Sequence, residues 1–331
     1  MKLTPEQIAF YELNGYVIVR ELFQQEEVNT IKNVASKIAD ETKQFSTASP
    51  GDTFNDLRGT SVVLTTNSKS DQVIKRIVWA AAADPKLLTF GRNKRILTPV
   101  SQLLGSESEA LAEADHLINQ IHYKTPGDEV AFPWHQDEQN RRFFDPEWED
   151  INKKGSFVQT LAAIDNCTED NGPLYVIPGS HRLGFLKFKG FLQSDELQTE
   201  VATKGIDVKS TQVPLLMNAG DVVFMHPHLI HGSWPNNSNE PRRMFINGFS
   251  YPGANHKPYP GKGSAKRISL VTGKELDCTS EQKVENATHT SAVVLTSASS
   301  FPLFDASRLT PKAGVTVTSQ IDDQLTPVPH R

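Results

Sequence analysis

Near residue 116 the apolar periodicity of this chain switches from helical spacing to alternation, and that switch limits the fold more than any other feature. Upstream, Thr4-Pro5-Glu6-Gln7 carries three helix-start signals: Thr4 as N-cap, Pro5 at the first helical position and Gln7 placed to reach back. That helix is expected to end at Asn14-Gly15. "YVIV" at 16–19 reads as a short buried strand, and Val28, Ile31, Val34 and Ile38 mark one face of a second helix. Two more helical stretches are expected, over 70–81 and 94–104. Downstream, "HLINQIHYK" (116–124), "FVQTLAAID" (157–165), "PLYVIP" (173–178), "GDVVFM" (220–225) and "RRMFINGFSY" (242–251) are short apolar or alternating runs parted by turn residues. Short strands after a helical lead predict a mainly β fold, a sandwich or jelly roll with helices on one side.

The domain reading is a single unit over residues 1–260, with a helical lead at 1–105 and a strand-rich core at about 116–252. Residues 261–331 form a Ser/Thr-rich extension. Its large apolar residues are few, yet "SAVVL" and "GVTVT" alternate, so a disordered tail and an extra β-flap both remain open.

A net charge of -5 without a basic stripe argues against a nucleic-acid surface or a polybasic membrane patch, and leaves small molecules as the expected partners. No window of about 18 apolar residues occurs, the N-terminus lacks a secretory pattern, and "PVPHR" is not a peroxisomal terminal tripeptide. The two cysteines, Cys167 and Cys278, sit in no metal-ligand spacing, which suits a reducing compartment. A cytoplasmic protein is expected.

"FPWHQDEQNRRFF" (132–144) sets His135 and Asp137 two apart, so an extended segment would turn an imidazole and a carboxylate to the same side. Alone, that pair is weak evidence for a metal. A third ligand is available in "MHPHLIHGSWPNNSNEPRR", where His226, His228 and His231 follow a predicted strand. Two histidines and one carboxylate leave three metal positions open, the arrangement of non-haem Fe(II) oxygenases. His226 and His228, flanking Pro227, also read as local hydrogen-bonding residues. Arg242, eleven residues beyond His231, shares strand parity with Met244, Ile246 and Gly248. An inward arginine there needs an anion, such as a carboxylate of a dicarboxylic cosubstrate. Arg243, of opposite parity, is expected outside.

Taken in order, "LTPEQIAFYELNGYVIVRELF", "NQIHYKTPGD", "FPWHQD", "DNCTEDNGPLYVIPGSH" and "HGSWPNNSNEPRR" resemble the phytanoyl-CoA dioxygenase family of Fe(II)- and 2-oxoglutarate-dependent oxygenases, over about residues 3–252. The resemblance implies a double-stranded β-helix, the cupin-like jelly roll, with Fe(II) held by His135, Asp137 and His231. It implies 2-oxoglutarate on Arg242 with Ser233 beside it and Gln120 against the cosubstrate. Lys124 shares the parity of Gln120 and is either a further cosubstrate contact or a surface lysine. Leu161 stands where many relatives carry tryptophan. The implied reaction is hydroxylation of an aliphatic C–H bond by O2, with 2-oxoglutarate decarboxylated to succinate and CO2 and ascorbate as reductant in vitro. Asp137 favours hydroxylation over halogenation. Asn171-Gly172 and Pro178-Gly179-Ser180-His181 read as turns, with His181 part of the architecture.

Two other classes compete: a non-catalytic cupin-like metal-binding or sensing protein, and a zinc hydrolase. An inward Arg242 disfavours the first. On the substrate side, Arg141, Arg142 and Phe143, with Gln139, Asn140 and Phe144, are expected near the barrel mouth. The arginine pair and "HRLGFLKFKGF" (181–191) either meet an anionic substrate or are solvated loops.

Overall fold

The computed structural model describes residues 1–46, 51–106 and 109–277. Cys278 and the alternating "SAVVL" and "GVTVT" segments lie outside the described residues. Helix α1 (Pro5–Asn14) forms where its cap signals place it: the Thr4 hydroxyl accepts from the Gln7 amide at 3.2 Å, and the Thr4 amide donates to the Gln7 side chain at 3.0 Å. Gly15, at φ +83°, ends the helix in the left-handed conformation that glycine adopts without a Cβ penalty. β1 (Tyr16–Val19) follows, and α2 (Gln25–Thr42) buries Val28, Ile31, Val34 and Ile38 as one stripe.

The next segment departs from expectation. β2 (Thr53–Leu57), β3 (Thr60–Thr66) and β4 (Gln72–Val78) make an antiparallel meander, so the helix expected at 70–81 is a strand followed by a 3-10 turn at Ala80–Ala82. Val73/Ile77 and Ile74/Val78 do repeat at helical spacing. The four are also β-branched, however, and both edges of β4 find strand partners, so pairing overrides the periodic signal. The helices α3 (Lys86–Gly91) and α4 (Lys94–Leu104) close the lead, the latter where expected.

The core then runs β5 (Glu113–Lys124), β6 (Phe132–His135), α5 (Asp137–Phe144), β7 (Phe157–Ala163), β8 (Leu174–Val176), α6 (Ser194–Val201), α7 (Val208–Thr211), β9 (Val213–Leu215), β10 (Val222–Met225), β11 (His231–Ser233), β12 (Arg242–Ser250) and β13 (Lys266–Ser269). The larger sheet has the order β1-β10-β7-β12-β5-β4-β3-β2, with β13 also paired to β5. The smaller has the order β6-β11-β8-β9, and every pairing is antiparallel. Sheet pairing therefore continues past residue 260.

Strand parity decides what lies between the sheets. Met244 and Ile246 of β12 join Ile118, Leu161, Val223 and Val176 there, while Phe245 and Phe249 pack on the other face against the α2 stripe and α4. Trp134, Ile177, Leu197 and Val208 form a third cluster under α6 and α7. Each such aliphatic or aromatic side chain contributes about 1.5–3 kcal/mol by burial, so a one-residue slip of β12 would turn several of them to the wrong face. The observed register sets Arg242, Met244 and Ile246 opposite Lys124, His122 and Gln120. These six side chains share the face between the sheets. This is the double-stranded β-helix, a jelly roll with helices against both sheets rather than on the one side expected.

Candidate metal and cosubstrate site

The register between β6 and β11 places His231 directly opposite His135, with ring centroids 4.2 Å apart. Gln136 is extended (φ -112°, ψ 139°), so Asp137, the first residue of α5, returns to the side of His135. One ligand atom from each of His135, Asp137 and His231 lies within 4.8 Å of the others, and His231 Nε2 is 3.9 Å from Asp137 Oδ1. Both rings are oriented from behind. Nδ1 of His135 lies 2.7 Å from the Pro133 carbonyl and Nδ1 of His231 lies 2.9 Å from the Leu229 carbonyl. A carbonyl only accepts, so each Nδ1 carries the proton and each Nε2 presents a lone pair. Burial, the largest cause, pushes the pKa of His135 well below the ordinary histidine value and keeps its ring neutral.

Asp137 is 3% exposed, and its Oδ2 has no hydrogen-bond partner among the described residues. A buried carboxylate oxygen left bare beside two imidazole lone pairs is costly unless a cation satisfies all three. The N,N,O donor set fits a divalent transition metal with open positions. The neighbouring histidines do not share in it. His228 is hydrogen-bonded to Glu138, the His226 ring accepts from the His228 amide at 3.1 Å, and His181 Nε2 donates to the Glu12 carbonyl at 3.0 Å.

Gln136, between the two ligands of the first motif, ties the site down. Its amide group donates to the carbonyls of Gly184 (2.9 Å) and His228 (2.6 Å), and its oxygen accepts from the Leu186 amide at 2.8 Å. Gln139 donates to the Gly190 carbonyl at 3.0 Å. The 181–191 loop is thus bound to α5, with Phe191 edge-on to His135 at 4.7 Å, while Lys187 and Lys189 remain exposed.

A second feature faces the same space. Lys124 is fully buried and Arg242 is 4% exposed; they are direct cross-strand partners, and neither has a carboxylate partner among the described residues. The surface reading of Lys124 does not hold. Its ammonium donates to the Trp234 carbonyl, and Arg242 Nε donates to the Gly172 carbonyl at 3.0 Å. Burial, then the neighbouring Arg242, pushes the pKa of Lys124 well down. Two buried cations side by side are a standing electrostatic cost that an anion relieves. Gly172 is required beside them: at φ +73° a Cβ would lie 2.4 Å from the Trp234 carbonyl oxygen. Ser233 is buried on β11, Gln120 is half-buried, and Leu161 packs opposite Ile246. Arg243 faces outward and pairs with Asp165 at 2.7 Å, as its parity predicts.

The two arginines of α5 part company. Arg142 pairs with Glu138 at 2.6 Å and lies over the Phe185 ring, on a cleft of about 470 Å³. Arg141 is 4% exposed and turned inward, and Phe143 is 48% exposed. Sequence reasoning passed over His122 and Arg76, which are direct cross-strand partners. His122 shares the parity of Gln120 and Lys124, stacks on Phe132 at 4.4 Å and leaves Nε2 without a hydrogen-bond partner among the described residues; parity alone could have found it. Arg76 lies in the stretch expected to be helical, where inward parity had no meaning.

Comparison with known proteins agrees with this geometry. The family model for phytanoyl-CoA dioxygenase (PhyH) matches residues 11–244. A probable phytanoyl-CoA dioxygenase of Caenorhabditis elegans is 28% identical over 247 residues, covering 71% of this chain and 71% of that protein. The peroxisomal phytanoyl-CoA dioxygenase of Homo sapiens is 26% identical over 237 residues, covering 71% of this chain and 64% of that protein. Among solved structures, EctD from S. alaskensis with 2-oxoglutarate and 5-hydroxyectoine superposes with a TM-score of 0.57 at 20% identity, covering 80% of this chain and 86% of that one. The chain belongs to the phytanoyl-CoA dioxygenase family of Fe(II)- and 2-oxoglutarate-dependent oxygenases.

Proposed function

We propose that this protein hydroxylates an aliphatic C–H bond of a small molecule, using O2 and decarboxylating 2-oxoglutarate to succinate and CO2. The observation that carries the reading is the pairing of a bare His135–Asp137–His231 donor set at the smaller sheet with the buried cations Lys124 and Arg242 on the larger, neither of which has a carboxylate ion-pair partner among the described residues. His135, Asp137 and His231 would hold Fe(II), which when bound supplies the O2 chemistry coupled to 2-oxoglutarate oxidation. Arg242 and Lys124 would hold the distal carboxylate of 2-oxoglutarate, with Ser233 and Gln120 along its length. The Pro133 and Leu229 carbonyls keep both imidazoles in the ligating tautomer. The clamp of Gln136 and Gln139 on the 181–191 loop keeps water from the same side.

The reading includes small molecules, rather than nucleic acid or a membrane, as partners and the cytoplasm as compartment. Sparse cysteine usage supports the latter, and no helix among the described residues is long and apolar enough to cross a membrane. A non-catalytic metal-binding barrel would have no use for the buried cation pair. The test is 2-oxoglutarate consumption and succinate release with Fe(II), O2 and ascorbate, which Asp137→Ala should abolish. Undiminished turnover in that variant would overturn the reading.

A further inference from the structure

We infer that Arg141 is the substrate's anchor and that the substrate is a free carboxylic acid rather than its neutral ester, amide or thioester. Arg141 sits one turn after Asp137 on α5, so the two share a helix face about 5–6 Å apart. Its guanidinium lies 4.8 Å from the centre of the Phe157 ring and 4.7 Å from that of Tyr259, whose phenol it also hydrogen-bonds. The two rings pack against the cation. Nε and Nη1 make no hydrogen bond among the described residues, although both are buried. Among the described residues no carboxylate pairs with it. Cation–π contact offsets part of the cost of burying that charge, but it satisfies no N–H donor.

The site adjoins the metal ligands. Tyr259 is 9% exposed, and the charges of Arg141, Arg76 and Asp137 all act on its phenol. Tyr259 also lies beyond the residues that the family model matches, so this half of the clamp comes from a segment outside the matched core. The segment is fastened over α5 by the His256 amide donating to Asp145 at 2.5 Å, by Lys257 pairing with Glu147 at 3.0 Å, and by Phe144 edge-on to Tyr259 at 5.0 Å. A buried cation with two unsatisfied N–H donors calls for an acceptor that also carries the compensating charge, which a carboxylate does. A neutral acyl group in its place would leave a buried charge unmatched.

This assignment deepens the proposed dioxygenase reading and rests on it for what happens after binding; its first test needs no metal. Calorimetry of the metal-free protein with hexanoate, benzoate and their amides should show binding of an acid and at least tenfold weaker binding of its amide. Arg141→Gln should lose that binding at least tenfold, Arg141→Lys should keep part of it, and Arg242→Met should retain it. No binding of either acid, equal binding of acid and amide, or loss in Arg242→Met with retention in Arg141→Gln overturns the assignment. If Arg141→Gln does not fold, the acid–amide comparison made on Arg242→Met decides. A second arm separates the two carboxylate sources. Arg141→Gln should leave the 2-oxoglutarate dissociation constant of the Fe(II)-loaded, anaerobic protein within twofold of the unaltered one. A loss of cosubstrate affinity equal to that of Arg242→Met would give Arg141 to 2-oxoglutarate and overturn the assignment. Absence of 2-oxoglutarate turnover with intact acid binding would instead count against the dioxygenase reading.

Discussion

Replacing Lys124 by methionine should act in opposite directions on the cosubstrate-free and cosubstrate-bound protein. In the structure the ammonium is fully buried, donates among the described residues only to the Trp234 carbonyl, and lies across the strand pair from Arg242. Burial and that second cation hold its pKa well below the ordinary 10.5. Between the lowered folded value and the ordinary unfolded value, the unfolded chain binds more protons than the folded one, so stability rises with pH across that window. Methionine keeps the length and apolar stem of lysine and removes the charge. Cosubstrate-free Lys124→Met should therefore melt above the unaltered protein, with the largest gain at the lower end of the window and a vanishing gain as pH approaches 10.5. With 2-oxoglutarate the sign reverses. A hydrogen bond to a charged group contributes about 1.5–3 kcal/mol, so cosubstrate affinity should fall about 10- to 150-fold. Thermal melts of metal-free protein across the pH range, and titration of 2-oxoglutarate into Fe(II)-loaded protein without O2, read the two effects. A variant that melts lower at every pH and binds 2-oxoglutarate normally would show Lys124 to be a structural donor and refute the reasoning.

Other perturbations test the surroundings. Gly172→Ala puts a Cβ 2.4 Å from the Trp234 carbonyl oxygen in a left-handed backbone and disturbs the carbonyl that holds Arg242, so both melting temperature and 2-oxoglutarate affinity should fall. Thr4→Ala removes a complete capping box and should cost about 1 kcal/mol in denaturant unfolding while leaving 2-oxoglutarate binding unchanged. Cys167 is buried and its thiol is pushed up to about 11, so peptide mapping after alkylation at pH 8 should find it unmodified in folded protein and modified in denaturant.

The legible parts of the sequence were those in which one physical signal acted alone. The capping residues of α1, the stripe on α2 and the alternation of β5, β7 and β12 were readable because local chemistry and tertiary packing ask for the same conformation. β4 was misread because β-branched residues fell at helical spacing and only its two strand neighbours settle the matter. The same error hid Arg76. His135, Asp137 and Arg242 announced themselves through parity. Choosing His231 over His226 and His228 needed the family resemblance, and the structure gives the physical reason: the other two are engaged with each other and with Glu138. The division between Arg141 and Arg142 was out of reach, since it depends on Tyr259, more than a hundred residues downstream.

The most direct test of the central claim is an anaerobic spectral titration of Fe(II) and then 2-oxoglutarate into the unaltered protein and into His135→Ala, Asp137→Ala and His231→Ala. The account predicts one Fe(II) per chain and a weak visible charge-transfer band that appears only when 2-oxoglutarate joins the metal, in the unaltered protein alone. A band of undiminished strength in all three variants, or none in the unaltered protein at saturating Fe(II) and 2-oxoglutarate, would contradict it.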